Sequence, residues 1–193
     1  MNKTRLEAFS DGVLAIIITI MVLEIHVPET ADCAAFLGLL PTLTGYLLSF
    51  VFVGIYWNNH HHLLHTADKV NGAMMWANLM LLFWLSLVPF ATAWMDKSHF
   101  APFSIAAYAV LLLLCGTSFD ILRRIILRSV SENDRIKSVL NKLDFKSIFS
   151  IVCYSIAIPA AYWHKYISIS LFVVVAIAWF IPSRAIEKGL EEK

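Results

Sequence analysis

Six apolar runs of roughly 20 residues, separated by short polar breaks, set the pattern of this chain. They predict membrane-spanning helices at Phe9–Val27, Ala35–Trp57, Met74–Met95, Phe103–Leu122, Phe145–Trp163 and Ile167–Pro182. Residues 1–193 read as one all-α membrane domain with no soluble domain attached. The fourth run is the cleanest, through Ala107–Leu114. Pro159 is expected to kink the fifth helix or loosen its last turn. The first run exceeds the apolar core of a signal peptide, and Asp32 and Cys33 spoil a small-residue cleavage site after it. Between the fourth and fifth runs lies a cytoplasmic linker, residues 123–146. There Ser131 and Asp134 resemble a capping box, and Ile136, Val139, Leu140 and Leu143 repeat at helical spacing. A basic amphipathic helix at the headgroups, or a docking surface for a neighbouring subunit, fits that pattern.

Composition strengthens the membrane reading. Hydrophobic residues make up 59% and charged residues 15%, with a mean hydropathy of +0.71, whereas a soluble domain carries about 25% charged residues. The net charge of +1 is uninformative, but its distribution is not. With six spans, thirteen of the fifteen lysines and arginines fall on one side of the membrane. Only Lys97 and Lys165 fall on the other, beside Glu29, Asp32 and Asp96. That bias puts both termini in the cytoplasm of a multi-pass protein of the cell membrane, and it supports an even number of spans. Cys33, Cys115 and Cys153 show neither metal spacing nor a disulfide pattern and read as small apolar residues.

Candidate chemistry concentrates at the entrance of the first span. Arg5, Ser10 and Asp11 are costly there without partners, and such residues mark function more often than packing. Arg5 and Phe9 share a helical face, and Asp11 lies off it. Deeper in the span, Val13, Ile16, Ile20 and Leu23 form a stripe of branched apolar side chains, flanked by the small residues Ala8, Gly12, Ala15 and Thr19. Periodicity alone also fits a plain packing helix, with its small face against a neighbour and its large face in lipid.

His60, His61, His62 and His65 end the second span near Asp68, with His61 and His65 at a spacing that can chelate metal. The other histidines lie across the membrane, so hydrogen bonding to the polar entrance, joined by Asn58, Asn59 and Asn78, is the expected role. No metal or other cofactor is expected. Thr44-Gly45-Tyr46 lacks the second glycine and irregular loop of a carbonyl filter and reads as a close-packing point. Asp120 is placed to pair with Arg123 or Arg124. No nucleophile with a base, phosphate loop or intramembrane carboxylate pair points to an enzyme, and nothing points to nucleic acid.

The run Arg5 to Ile16, R-x-x-x-F-S-D-G-V-x-A-I, resembles the opening signature of prokaryotic members of the transmembrane protein 175 family. Trp57-Asn58-Asn59-His60-His61 fits as well, and Leu14 replaces a commoner aromatic residue. The resemblance implies a single-repeat potassium channel, a homotetramer whose central pore is lined by the first helix of each subunit. It implies a constriction at Ile16, followed by Ile20 and Leu23, with Ile16 and Thr19 setting selectivity. It also implies that Arg5, Ser10 and Asp11 tie the inner mouth to the second and third helices through His61 and Asn78.

A ring of branched side chains gates by dewetting and selects modestly for potassium over sodium, so rubidium and cesium are expected to pass. The partners expected are three further copies of the chain, membrane lipids and potassium ions. A small secondary transporter would show broken helices or inverted repeats, and a non-conducting scaffold or metal-binding membrane protein would show ligands facing across the interior. Unitary currents separate the channel from both.

Overall fold

The computed structural model describes residues 2–67, 69–129 and 134–180, and among these every regular element is a helix. The helices are α1 Lys3–Leu23, α2 Cys33–Gly38, α3 Leu40–Thr66, α4 Gly72–Ser86, α5 Val88–Lys97, α6 Pro102–Ser129, α7 Asp134–Trp163 and α8 Lys165–Phe180. Five stretches are long and apolar enough to cross a membrane, α4 and α5 counting together as one. The sixteen residues of α8 reach only about 24 Å, short of a bilayer core of about 30 Å. Pro182, the predicted end of the sixth span, lies outside the described residues, as do Asp68 and Ser131.

The helix ends differ from the sequence reading for local reasons. α1 begins at Lys3, six residues before the apolar run, because the Asn2 side chain caps it by accepting from the Thr4 N–H at 3.2 Å. It stops at Leu23, and the expected extension to Val27 is loop, where Glu24, His26 and Pro28 leave the apolar pattern. α3 continues nine residues past Trp57, so the histidines lie on the helix itself. The third span is broken at Leu87. Pro89 falls in the first turn of α5, where its missing N–H and ring are tolerated only by restarting the helix.

Among the described residues no separate linker helix follows α6. Residues 123–129 belong to α6, and α7 runs from Asp134 without interruption into the membrane and on through Pro159. The side chains of Ile136, Val139, Leu140 and Leu143 are outside the described residues.

α6 sits at the centre, packed on α3, α4, α5, α7 and α8, while α1 lies on one flank against α3, α4 and α5. The buried face of α6 carries Ile105, Tyr108, Leu112, Cys115, Phe119, Leu122 and Ile126, at spacings of three and four. Polar side chains join the bundle where lipid leaves them no water. Ser49 lies 2.7 Å from the Thr92 hydroxyl and 2.8 Å from that of Tyr108, tying α3 to α5 and α6. At the end of the bundle nearest the N-terminus, Asp120 accepts from Arg123 at 2.7 Å and from Arg124 at 2.6 Å. Asp144 of α7 accepts from both arginines as well. Arg123 is buried, so the two carboxylates keep its charge from being stranded.

Candidate functional site

α1 has two unlike faces. Leu6, Ser10, Leu14, Ile17 and Met21 are buried, at i, i+4, i+8, i+11 and i+15, and this line faces the chain's own bundle. The opposite face is bare. Ile16 is 58% exposed, Ile20 43% and Leu23 79%, and Ala8, Gly12, Ala15 and Thr19 are exposed beside them. Among the described residues no helix of the same chain packs against these small residues, which leaves that face to lipid or to a neighbouring chain. At about 100° per residue, Arg5, Phe9, Ile16 and Leu23 fall within roughly 40° of one another.

The buried line explains the polar entrance. His60 Nε2 lies 2.6 Å from Asn78 Oδ1, Asn78 Nδ2 donates to Ser10 Oγ at 2.9 Å, and Ser10 Oγ donates to the Leu6 carbonyl at 2.9 Å. Because the Asn78 amide nitrogen is used on Ser10, its oxygen is the acceptor and His60 donates from Nε2. One directional chain of bonds thus joins α3, α4 and α1, with Ser10, Asn78 and His60 all buried. In place of the expected His61, His60 makes this contact. His61 is exposed on the neighbouring face, its ring 6.4 Å from that of His65. Among the described residues no group of three or more metal-binding side chains comes together.

Asp11 stands beside this chain and accepts from Trp57 Nε1 at 3.0 Å, a second link from α1 to α3. Lys3 Nζ adds a third, donating to the His65 carbonyl at 2.7 Å. Arg5 departs from the expectation that a helix of its own chain pairs it. It is exposed and has no ion-pair partner among the described residues, because its position on α1 turns it away with Ile16. Thr19 Oγ1 donates to the Ile16 carbonyl at 2.9 Å, which leaves the oxygen lone pairs as acceptors on the exposed face.

Trp57→Phe removes the Asp11 donor while keeping the ring. The expected loss is about 1 kcal/mol, since Asp11 retains access to water. A lower thermal midpoint of the detergent-solubilised protein, with unchanged helical content, checks this.

Comparison with known proteins places this arrangement. The family model described as endosomal/lysosomal potassium channel TMEM175 matches residues 5–89, the segment that carries α1, the His60–Asn78–Ser10 chain and the break at Leu87. A potassium channel of Chryseobacterium sp. (strain P1-3) is 50% identical over 192 residues, covering all of both chains. The human endosomal/lysosomal proton channel TMEM175 is 35% identical over 103 residues, covering 47% of this chain and 20% of that one. The crystal structure of a lysosomal potassium-selective channel TMEM175 homolog from Chamaesiphon minutus superposes with a TM-score of 0.83 at 26% identity, covering 95% of this chain and 97% of the other. The exposed line on α1, the polar chain that holds its back, and these likenesses converge, and the chain belongs to the TMEM175 family as a multi-pass membrane protein.

Proposed function

We propose that this chain is a potassium-selective channel of the cell membrane, formed by four copies around an axis lined by α1, with both termini in the cytoplasm. The observation that carries the reading is the bare face of α1. A helix held by buried hydrogen bonds on one side presents Ile16, Ile20 and Leu23 on the other, where none of the described residues covers them. The Chryseobacterium relative is described as a potassium channel, and the Chamaesiphon homolog as potassium-selective.

Each chain supplies one copy of α1, so a central pore lined by it needs several copies in closed symmetry. Ile16 forms the narrowest ring and closes it by excluding water, and an open ring admits potassium more readily than sodium because potassium sheds water more easily. Selectivity gained this way is modest, and rubidium and cesium follow potassium. Multi-angle light scattering in mild detergent is expected to give the mass of four chains, and unitary potassium currents are expected from reconstituted protein. A monomer, or liposomes without such currents, sinks the reading.

Thr19 lies one turn from Ile16 toward the far end of α1 and offers oxygen to a passing cation. Thr19→Val is expected to lower potassium preference over sodium with little change in resting flux. Reversal potentials under biionic conditions check it.

A further inference from the structure

A groove at the end of the bundle opposite the N-terminus plays no part in conduction along α1. It lies between the start of α3, the α5–α6 turn and the start of α8, with a volume of about 610 Å³. Ligand sites run from roughly 300 to 1,000 Å³. Its floor is apolar, formed by Leu48, Met95, Ile169, Phe172 and Val173. Phe172 is buried and braced edge-on by Tyr108 at 5.4 Å and at a tilt by Tyr154 at 6.3 Å, which holds this part of the floor in place.

The rim is polar, with His99 and Tyr166 beside the opposite charges of Asp96 and Lys165. Asp96 uses Oδ1 to accept from the Thr42 hydroxyl at 2.9 Å. Lys165 Nζ sits 5.7 Å from the Tyr166 ring. Around this rim Tyr162, Trp163 and Tyr166 are exposed, Trp163 by 90%. Exposed tryptophan and tyrosine mark the headgroup level of a membrane, which puts the rim at headgroup depth and the floor beside the acyl chains.

We infer that the groove holds one membrane glycerophospholipid with a primary-amine headgroup. An apolar floor at chain depth under a rim of both charges fits an amphiphile with a zwitterionic head. The Lys165 ammonium and the His99 ring meet the phosphate as donors. The Asp96 carboxylate accepts from the lipid ammonium through the oxygen that Thr42 does not use. A quaternary ammonium has no N–H to donate, so this pairing favours ethanolamine over choline, and an anionic glycerol headgroup meets Asp96 as a like charge.

Native mass spectrometry of the purified, delipidated full chain, titrated with dioleoyl phosphatidylethanolamine, phosphatidylcholine and phosphatidylglycerol, tests this. Phosphatidylethanolamine is expected to be retained several-fold better than either of the others. Lys165→Gln is expected to weaken all three, and Val173→Trp, which fills the floor, to displace the ethanolamine lipid. Asp96→Asn is expected to erase the preference for ethanolamine over choline while leaving choline lipid binding unchanged. Equal retention of the ethanolamine and choline lipids by the unmodified chain overturns the proposal, as does retention untouched by both Lys165→Gln and Val173→Trp. Thr42→Val separates recognition from support. If it alone erases the preference, Asp96 only braces α3 and the assignment fails.

Discussion

Ile16→Asn is expected to raise the resting potassium flux of reconstituted protein on the order of tenfold, the effect of lowering a barrier by about 1.4 kcal/mol. In the proposed tetramer the closed state depends on four branched side chains that water does not wet, and an amide at the same position gives water a partner. Ile16 is 58% exposed in the chain and contributes little to its core, so the bundle is expected to survive the change. Discrimination against sodium is expected to fall together with the rise in flux, since a wetted ring no longer strips the ion. Liposome flux assays with potassium and sodium gradients, run beside size-exclusion profiles, check both parts. A variant as closed and as selective as the unmodified channel moves the gate outward to Ile20 and Leu23.

Asn78→Ala is expected to have its effect on folding. The amide is the middle of the chain from His60 to Ser10, and all three residues are buried. Its removal leaves the His60 N–H without its acceptor and strips Ser10 of its donor, at about 1–3 kcal/mol for each buried group left unsatisfied. Yield and thermal midpoint of the solubilised protein are expected to drop sharply, and the protein that does fold is expected to conduct with normal ion preference. His61→Ala supplies the contrast, an exposed site whose loss is expected to stay within about 0.5 kcal/mol. Equal damage from the two variants would mean that the buried chain of bonds is not what positions α1.

These two side chains also show how far the sequence alone reaches. The lines of α1 are written in its spacing, because a helix repeats every 3.6 residues and the first span holds its phase from Leu6 to Leu23. Which line faces the bundle is less legible, since branched apolar residues suit a core, a lipid surface and a narrow pore alike. Ser10 is the discriminating residue, buried because Asn78 of α4 meets it. The choice between His60 and His61 is lost locally, as Asn58 to His62 are five polar residues in a row with no periodicity of their own. Carrying the phase forward from Ser49 and Phe52 selects His60, but it requires knowing that α3 continues unbroken past Trp57.

The pairing of Asp120 with Arg123 and Arg124 is a local matter of three and four residues and is visible in the sequence. Asp144 arrives only because α7 folds back along α6, which no local spacing encodes. The restart at Pro89 is signalled by the proline itself, yet an apolar run of uniform hydropathy hides it.

That restart at Leu87 has a mechanical consequence. The third crossing is two short rods, and each is fastened separately, α4 through Asn78 to Ser10 and α5 through Thr92 to Ser49. α1 rests against both rods. A single stiff rod would transmit any tilt at one membrane face to the other, whereas a joint near its middle lets the two ends be braced independently. The half of α1 that carries Ser10 is thereby anchored like a post in a socket, and the far half leans on a lever with its own fulcrum.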